Sequence, residues 1–458
     1  MKTSVSFLCV LFSILIITSQ LRAQTNVVNA NQGYQMRLEF DNRGAFGKVS
    51  YGLTNPPQDS IGLDYPIGAR VEHIYGGGLW VGGLLDTSNG GTSPPVRLVT
   101  TGFKGWSSPF YEFYPGPSVA DSIWTGSRID TVSPTGWDSY WGAALPYRPV
   151  ADDERHCRYR DDNASVSQHI PMHLEVIQSS YTWNDTYSAG IHIIRYKVIN
   201  TGTKPIDSVY VCIFLDGDVG PISIINYWNN NSSGFRLVYR LGFINNPVNT
   251  GSTPVGVSYI TLSPVIGSQR LTFQWYSGPA SPGSDAARYA LMSSGQILPD
   301  EYPSLSDTRF LLATGPSRIR PITDPAPDTL ILAMAILSGQ DILQLQTRAF
   351  RALDLYQNMV LNVEDADNST PGGFRLDQNY PNPFNPSTSI SFSLPQSGFV
   401  SLKVFSMLGQ EVTTLVSKDL TAGAHQTTWD ATGFPSGVYF YRLQAGSFTK
   451  TRKLVLLR

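Results

Sequence analysis

Short runs of alternating apolar and polar residues recur along most of the chain, and clusters of Gly, Pro, Asn and Asp cut one run from the next. That period-2 pattern is the signature of half-buried strands and makes the fold class mainly β. The runs lie at 34–40, 173–183, 191–200, 208–215, 235–243, 255–262, 271–276, 310–314 and 329–337. Within 191–200 the set His192, Ile194, Tyr196 and Val198 is the more consistently apolar, so it is expected to face the core. The turn at 200–205, Asn-Thr-Gly-Thr-Lys-Pro, then feeds Ile206 to Val211 as in an immunoglobulin-like hairpin.

The period changes once. Ile342, Leu345, Ala349, Ala352, Leu353, Tyr356 and Val360 recur at spacings of three and four, which predicts one late amphipathic helix, capped by residues 338–341 and docked on the core of its own domain. The stretch 24–362 exceeds the ~250–300 residues at which one core stops growing. It is expected to be a large β-sandwich-like region, either single or split into two lobes near 150–165. Residues 363–373, acidic and ending in Pro-Gly-Gly, read as a solvated linker before a final domain at 374–458.

Residues 1–23 read as a secretory signal peptide, with Lys2, an apolar core from Val5 to Ile17, and Ala23 before the cut. No later stretch is long and apolar enough to span a membrane. A net charge of −2 gives no reason to expect nucleic acid or an anionic membrane as partner. Signal removal would leave Cys157 and Cys212, which can form one disulfide in an oxidising compartment or stay as buried free thiols.

Several stretches carry candidate chemistry. The glycine-rich run 75–83 lacks the Lys-Ser/Thr pair of a phosphate loop, so its glycines are expected to let strands approach closely. Residues 103–147 are rich in aromatics and prolines. There Trp106, Trp124, Trp137 and Trp141 suit either the packing of irregular loops or stacking on sugar rings of a glycan ligand. The mixed-charge stretch 152–163 reads as a solvated loop whose arginines pair its carboxylates. His169 and His173 have metal-ligand spacing, but Pro171 breaks the helix that spacing needs. Asp216 and Asp218, two apart in a Gly-containing loop, offer oxygen ligands to calcium without the EF-hand pattern; an Asx turn closing the strand is the other reading. No zinc-protease motif, nucleophile elbow or Cys-His pairing stands out, so no catalytic residue is assigned.

The end of the chain is more specific. Asn382-Pro383-Phe384-Asn385-Pro386 cannot lie within a central strand or a helix, and it predicts a fixed extended turn with Phe384 as a buried plug. Alternation then returns at Ile390 to Leu394 and Val400 to Val404, with Gly409 and Gly437 placed for hairpins and Trp429-Asp430 between them. Lys450, Arg452 and Lys453 make a basic end. In this order and spacing, residues 374–458 resemble a type A C-terminal sorting domain of type IX secretion. The resemblance implies a small immunoglobulin-like β-sandwich, recognition by an outer-membrane translocon, processing by a sortase near 363–373, and a secreted or cell-surface destination. It implies nothing about the upstream cargo, which is only weakly similar to uncharacterised cargo regions. For that region a binding, adhesive or structural role toward a glycan or surface protein is expected, with an extracellular hydrolase of polysaccharide or protein as the alternative.

Overall fold

A computed structural model of the chain describes residues 28–48, 61–88, 94–103, 112–115, 123–127, 149–162, 169–249, 251–263, 270–277, 282–301, 305–360, 374–377, 379, 382, 384–406, 410–446 and 448–456. Its described residues are mainly β, with 55% in strands and 10% in helices, and the chain divides into two compact units, Met1–Tyr356 and Gln357–Arg458.

In the first unit two antiparallel sheets enclose the main core. Among the described residues the first sheet has nine strands. Its path runs Val28–Gly33, Met36–Asp41, Ala45–Gly47, Gly76–Leu85, Ile206–Asp216, Thr308–Ile319 and Arg270–Ser277. Leu63–Asp64 pairs with the second of these and Val96–Thr101 with Gly76–Leu85. The second sheet has eight strands, ordered Ser232–Arg236, Leu241–Asn245, Val255–Ser263, Thr329–Ser338, Ile191–Asn200, Leu174–Thr182, Asp153–Arg160 and Trp124–Gly126. Leu79, Val81, Val211, Ile213 and Leu312 of the first sheet share one buried cluster with Ile194, Tyr196, Val198, Leu332 and Met334 of the second. The inward set of strand 191–200 is therefore the one its alternation predicts.

A helix covers the outer face of each sheet. Helix α1, Asp285–Met292, packs Tyr289 and Met292 against Trp80, Cys212, Phe214 and Leu311 of the first sheet. Helix α2, Ile342–Leu355, lies across strands Val255–Ser263, Thr329–Ser338 and Ile191–Asn200 of the second. Asp341 caps α2, its Oδ1 accepting from the Gln344 amide at 2.7 Å. The sequence pattern predicts α2 but not α1, because two turns of helix are too few for a 3.6-residue period to emerge.

One expectation changes. The stretch 152–163 is no solvated loop, since Asp153–Arg160 is a strand inside the second sheet and inside a single unit. Its charges are used locally: Glu154 accepts from the Val150 and Ala151 amides, and Asp161 accepts from Thr100 Oγ1 and the Met172 and Leu174 amides. Charged residues on both faces hide the alternation. Of the two states open to the cysteines, the structure has the buried free thiols. Cys157 faces the core between the sheets and Cys212 faces α1 on the far side of the first sheet, so a sheet separates them.

The glycine-rich run forms strand Gly76–Leu85. A Cβ on Gly77 would lie 2.3 Å from the Phe46 ring and 2.9 Å from the Phe214 carbonyl, so only glycine lets the neighbours come this close.

The second unit is a smaller two-sheet sandwich. Arg375–Leu376, Ser387–Leu394 and Gly423–Asp430 form one sheet, and Glu411–Leu420, Gly398–Ser406, Gly437–Ala445 and Phe448–Leu456 the other. Ile390, Phe392, Leu402, Val404, Tyr441 and Leu443 fill the space between them.

Candidate metal centre and the sorting unit

Strand Ile206–Asp216 is central in the first sheet, and its last residue is flanked in register by Gly76 on one side and Arg309 on the other. Arg309 Nε donates to Asp216 Oδ2 at 2.8 Å, and its Nη2 reaches Asp307 Oδ2 at 3.4 Å. Residues 217–219 continue without a turn or bend to Gly220–Pro221, and Asp218, two residues beyond Asp216, offers its carboxylate on the same side. One carboxylate oxygen from each of Asp216, Asp218 and Asp307 lies within 4.8 Å of the other two. The segment is held from outside, because Asn231 Nδ2 donates to the Gly217 carbonyl at 3.1 Å and Asn246 Nδ2 to the Val219 carbonyl at 2.7 Å.

The surroundings are strongly acidic. Asp216 is 1% exposed, and burial, only partly offset by Arg309, raises its pKa to about 6. Burial together with the charges of Asp216, Asp307 and Glu72 holds Asp218 well above the carboxylate range. Glu72 is fully buried and shifted upward by that burial, with Lys48 Nζ at 2.8 Å from its Oε2 opposing the shift. Hard oxygen donors converging in this way suit a divalent cation of the calcium type.

Of these residues the sequence singles out Asp216 and Asp218. Asp307 has no local motif, and only the pairing of 206–216 with 308–319 brings it to them. The other candidate groups do not converge there. His169 Nε2 lies 2.9 Å from the Asp161 carbonyl, and His173 has a left-handed backbone with φ 58° just before strand Leu174–Thr182. Trp124 opens the edge strand Trp124–Gly126, while Trp106, Trp137 and Trp141 lie outside the described residues, as does the segment 1–23.

In the second unit the segment before the first long strand is clipped to the last one. Asn382 Oδ1 accepts from the Val455 amide at 2.7 Å and the Phe384 amide donates to the Val455 carbonyl at 2.9 Å. The Phe384 ring, 2% exposed, packs 5.4 Å from Trp429. Asn385 and Pro386 are exposed beside it, whereas Pro383 and Gly409 lie outside the described residues. Arg452 Nε donates to the Leu376 carbonyl at 2.7 Å, tying the two sheets, and Lys450 and Lys453 are exposed on the same strand. Gly437 starts its strand outside the left-handed region; in the described part of this unit Gly423, Gly433 and Gly446 are the positive-φ glycines. Tyr441 Oη donates to the Asp377 carbonyl at 2.6 Å and accepts from the Asn379 amide at 2.8 Å.

Residues 378–457 match the family described as the secretion system C-terminal sorting domain. No curated protein matches the chain. Among solved structures, dimeric latent PorU from Porphyromonas gingivalis is similar at 9% identity, over 62% of this chain and 32% of that one, with a TM-score of 0.16. The chain thus spans about a third of that protein's length, and so slight a likeness carries no argument. The terminal unit carries a type IX secretion C-terminal sorting domain, which marks the chain as cargo of that machinery, bound for the cell surface or the extracellular space.

Proposed function

We propose that the chain is a surface or released protein whose large sandwich has a binding, adhesive or structural role, and that its terminal unit is the address read by the translocon and a sortase. The observation that carries the export part is the sorting domain over 378–457. Residues 1–23 fit this route as a signal peptide for the first membrane crossing. The seven described strands of the terminal unit, split three and four between antiparallel sheets, support its reading as immunoglobulin-like.

For the cargo, the large two-sheet sandwich supports a binding role. The ligand class best suited to a rigid, aromatic-rich sandwich is a glycan or a surface protein.

The test is retention of the exported chain on a panel of polysaccharides and outer-membrane extracts, with released fragments assayed alongside. Retention without products supports the binding role. Released sugars or peptides would instead make the cargo a hydrolase.

A further inference from the structure

We infer that Asp216, Asp218 and Asp307 form a calcium site that ties the end of one central strand, the segment after it and the start of the neighbouring strand into one rigid corner. Ligands at about 2.4 Å from a common calcium ion can be no more than about 4.8 Å apart. The three carboxylates meet that limit as they stand.

Independent observations point into the same corner. Asp216 is 1% exposed, yet its Oδ1 has no hydrogen-bond partner, because Arg309 engages only Oδ2. Asp307 Oδ1 is likewise buried and unpartnered, with Arg309 on its Oδ2. Asn231, 0% exposed, anchors the Gly217 carbonyl between the two aspartates through Nδ2 and leaves its own Oδ1 unpartnered. Buried polar atoms are rarely left so, and three around one segment mark a group that the protein atoms alone do not satisfy.

Charge leads to the same ligand. Asp218 lies within electrostatic reach of Asp216, Asp307 and Glu72, while Lys48 and Arg309 supply the opposing charge. Fully ionised, four carboxylates against two cations leave an excess of two negative charges, which one divalent ion neutralises. Asp218 and Asp307 are half-buried, so the corner is open to solvent on their side while Asp216 forms its floor. An irregular set of carboxylates that includes a buried one suits calcium's flexible coordination better than the near-octahedral, water-rich shell of magnesium. The site is independent of the ligand proposed for the sandwich, so loss of one does not entail loss of the other.

The experiment is calcium binding to the chelator-treated full-length chain at neutral pH, by equilibrium dialysis with calcium chloride and by thermal unfolding. One calcium per chain is expected, with a Tm rise of about 3 °C or more at about 5 mM calcium. Asp218→Asn and Asp307→Asn should each lower the affinity at least about tenfold. In calcium-free buffer Asp218→Asn should be as stable as the unaltered chain, since it removes repulsion. Absence of bound calcium at about 5 mM, or unchanged affinity in both variants, overturns the site. Should a variant fail to fold, the stoichiometry and Tm rise of the unaltered chain still decide.

Discussion

Arg309 Nε donates to Asp216 Oδ2 at 2.8 Å across neighbouring strands, and both side chains are almost wholly buried. The guanidinium is the direct counter-charge to a carboxylate at the end of the sheet's central strand. Removing it leaves that carboxylate buried beside Asp218 and Asp307. Arg309→Met is expected to cost about 3–5 kcal/mol, the usual penalty for breaking one side of a buried pair. Urea unfolding in calcium-free buffer measures it, and a loss below about 1 kcal/mol would contradict the pairing described here.

His192 sits on the core-facing side of the second sheet, 0% exposed, with neither ring nitrogen hydrogen-bonded. Burial lowers its pKa to about 3. The folded chain therefore keeps His192 neutral, whereas the unfolded chain takes up a proton near the ordinary value of about 6.5. This contribution is fully present above pH ~6.5 and is lost as pH falls toward about 3. His73, lowered to about 4 by burial, acts in the same direction. Between pH 7 and pH 4.5 His192 alone should remove on the order of 2 kcal/mol. In His192→Leu that pH difference in unfolding free energy should shrink by about this amount; an unchanged difference would show that the ring is not held neutral.

The parts of the fold that were legible in the sequence are those where the two faces of an element differ in chemistry. In strand 191–200 Ile194, Tyr196 and Val198 face the core between the sheets while Arg195 and Lys197 fall on the other face, and Ile342 to Val360 show a helical period because α2 meets its sheet along only one stripe. Strand Asp153–Arg160 was illegible because Glu154 and His156 are buried polar residues, bonded to backbone amides and to Ser179. Two of the three aspartates of the acidic corner were visible, Asp216 and Asp218. Asp307 was not, because strand pairing rather than sequence spacing brings it there.

Gly77 should tolerate no side chain. Its Cβ would meet the Phe46 ring at 2.3 Å and the Phe214 carbonyl at 2.9 Å, and a backbone carbonyl in a paired strand cannot easily yield. Gly77→Ala is expected to destabilise the first unit by about 1–3 kcal/mol through overpacking. Gly251→Ala offers a contrast, since open space surrounds that position although its φ is +86°; any cost there comes from the backbone alone. Thermal unfolding of the two variants separates packing from backbone strain.

Phe384 joins the Asn-Pro-Phe segment to the core of the terminal unit through Trp429, next to backbone bonds to Val455. Phe384→Ala should cost about 3–5 kcal/mol of that unit's stability. The final strand, along which Lys450 and Lys453 are both exposed, should then become sensitive to limited proteolysis while the described strands of the first unit stay resistant. Equal protection of the final strand in both chains would mean that the clip does not hold it.

The most direct measurement is the location of a chain lacking residues 374–458, expressed in a bacterium with type IX secretion and compared with the complete chain by surface proteolysis and fractionation. If the terminal unit is the address, the truncated chain accumulates in the periplasm while the complete chain reaches the surface or the medium. Display or release of the truncated chain at the level of the complete one would contradict the account.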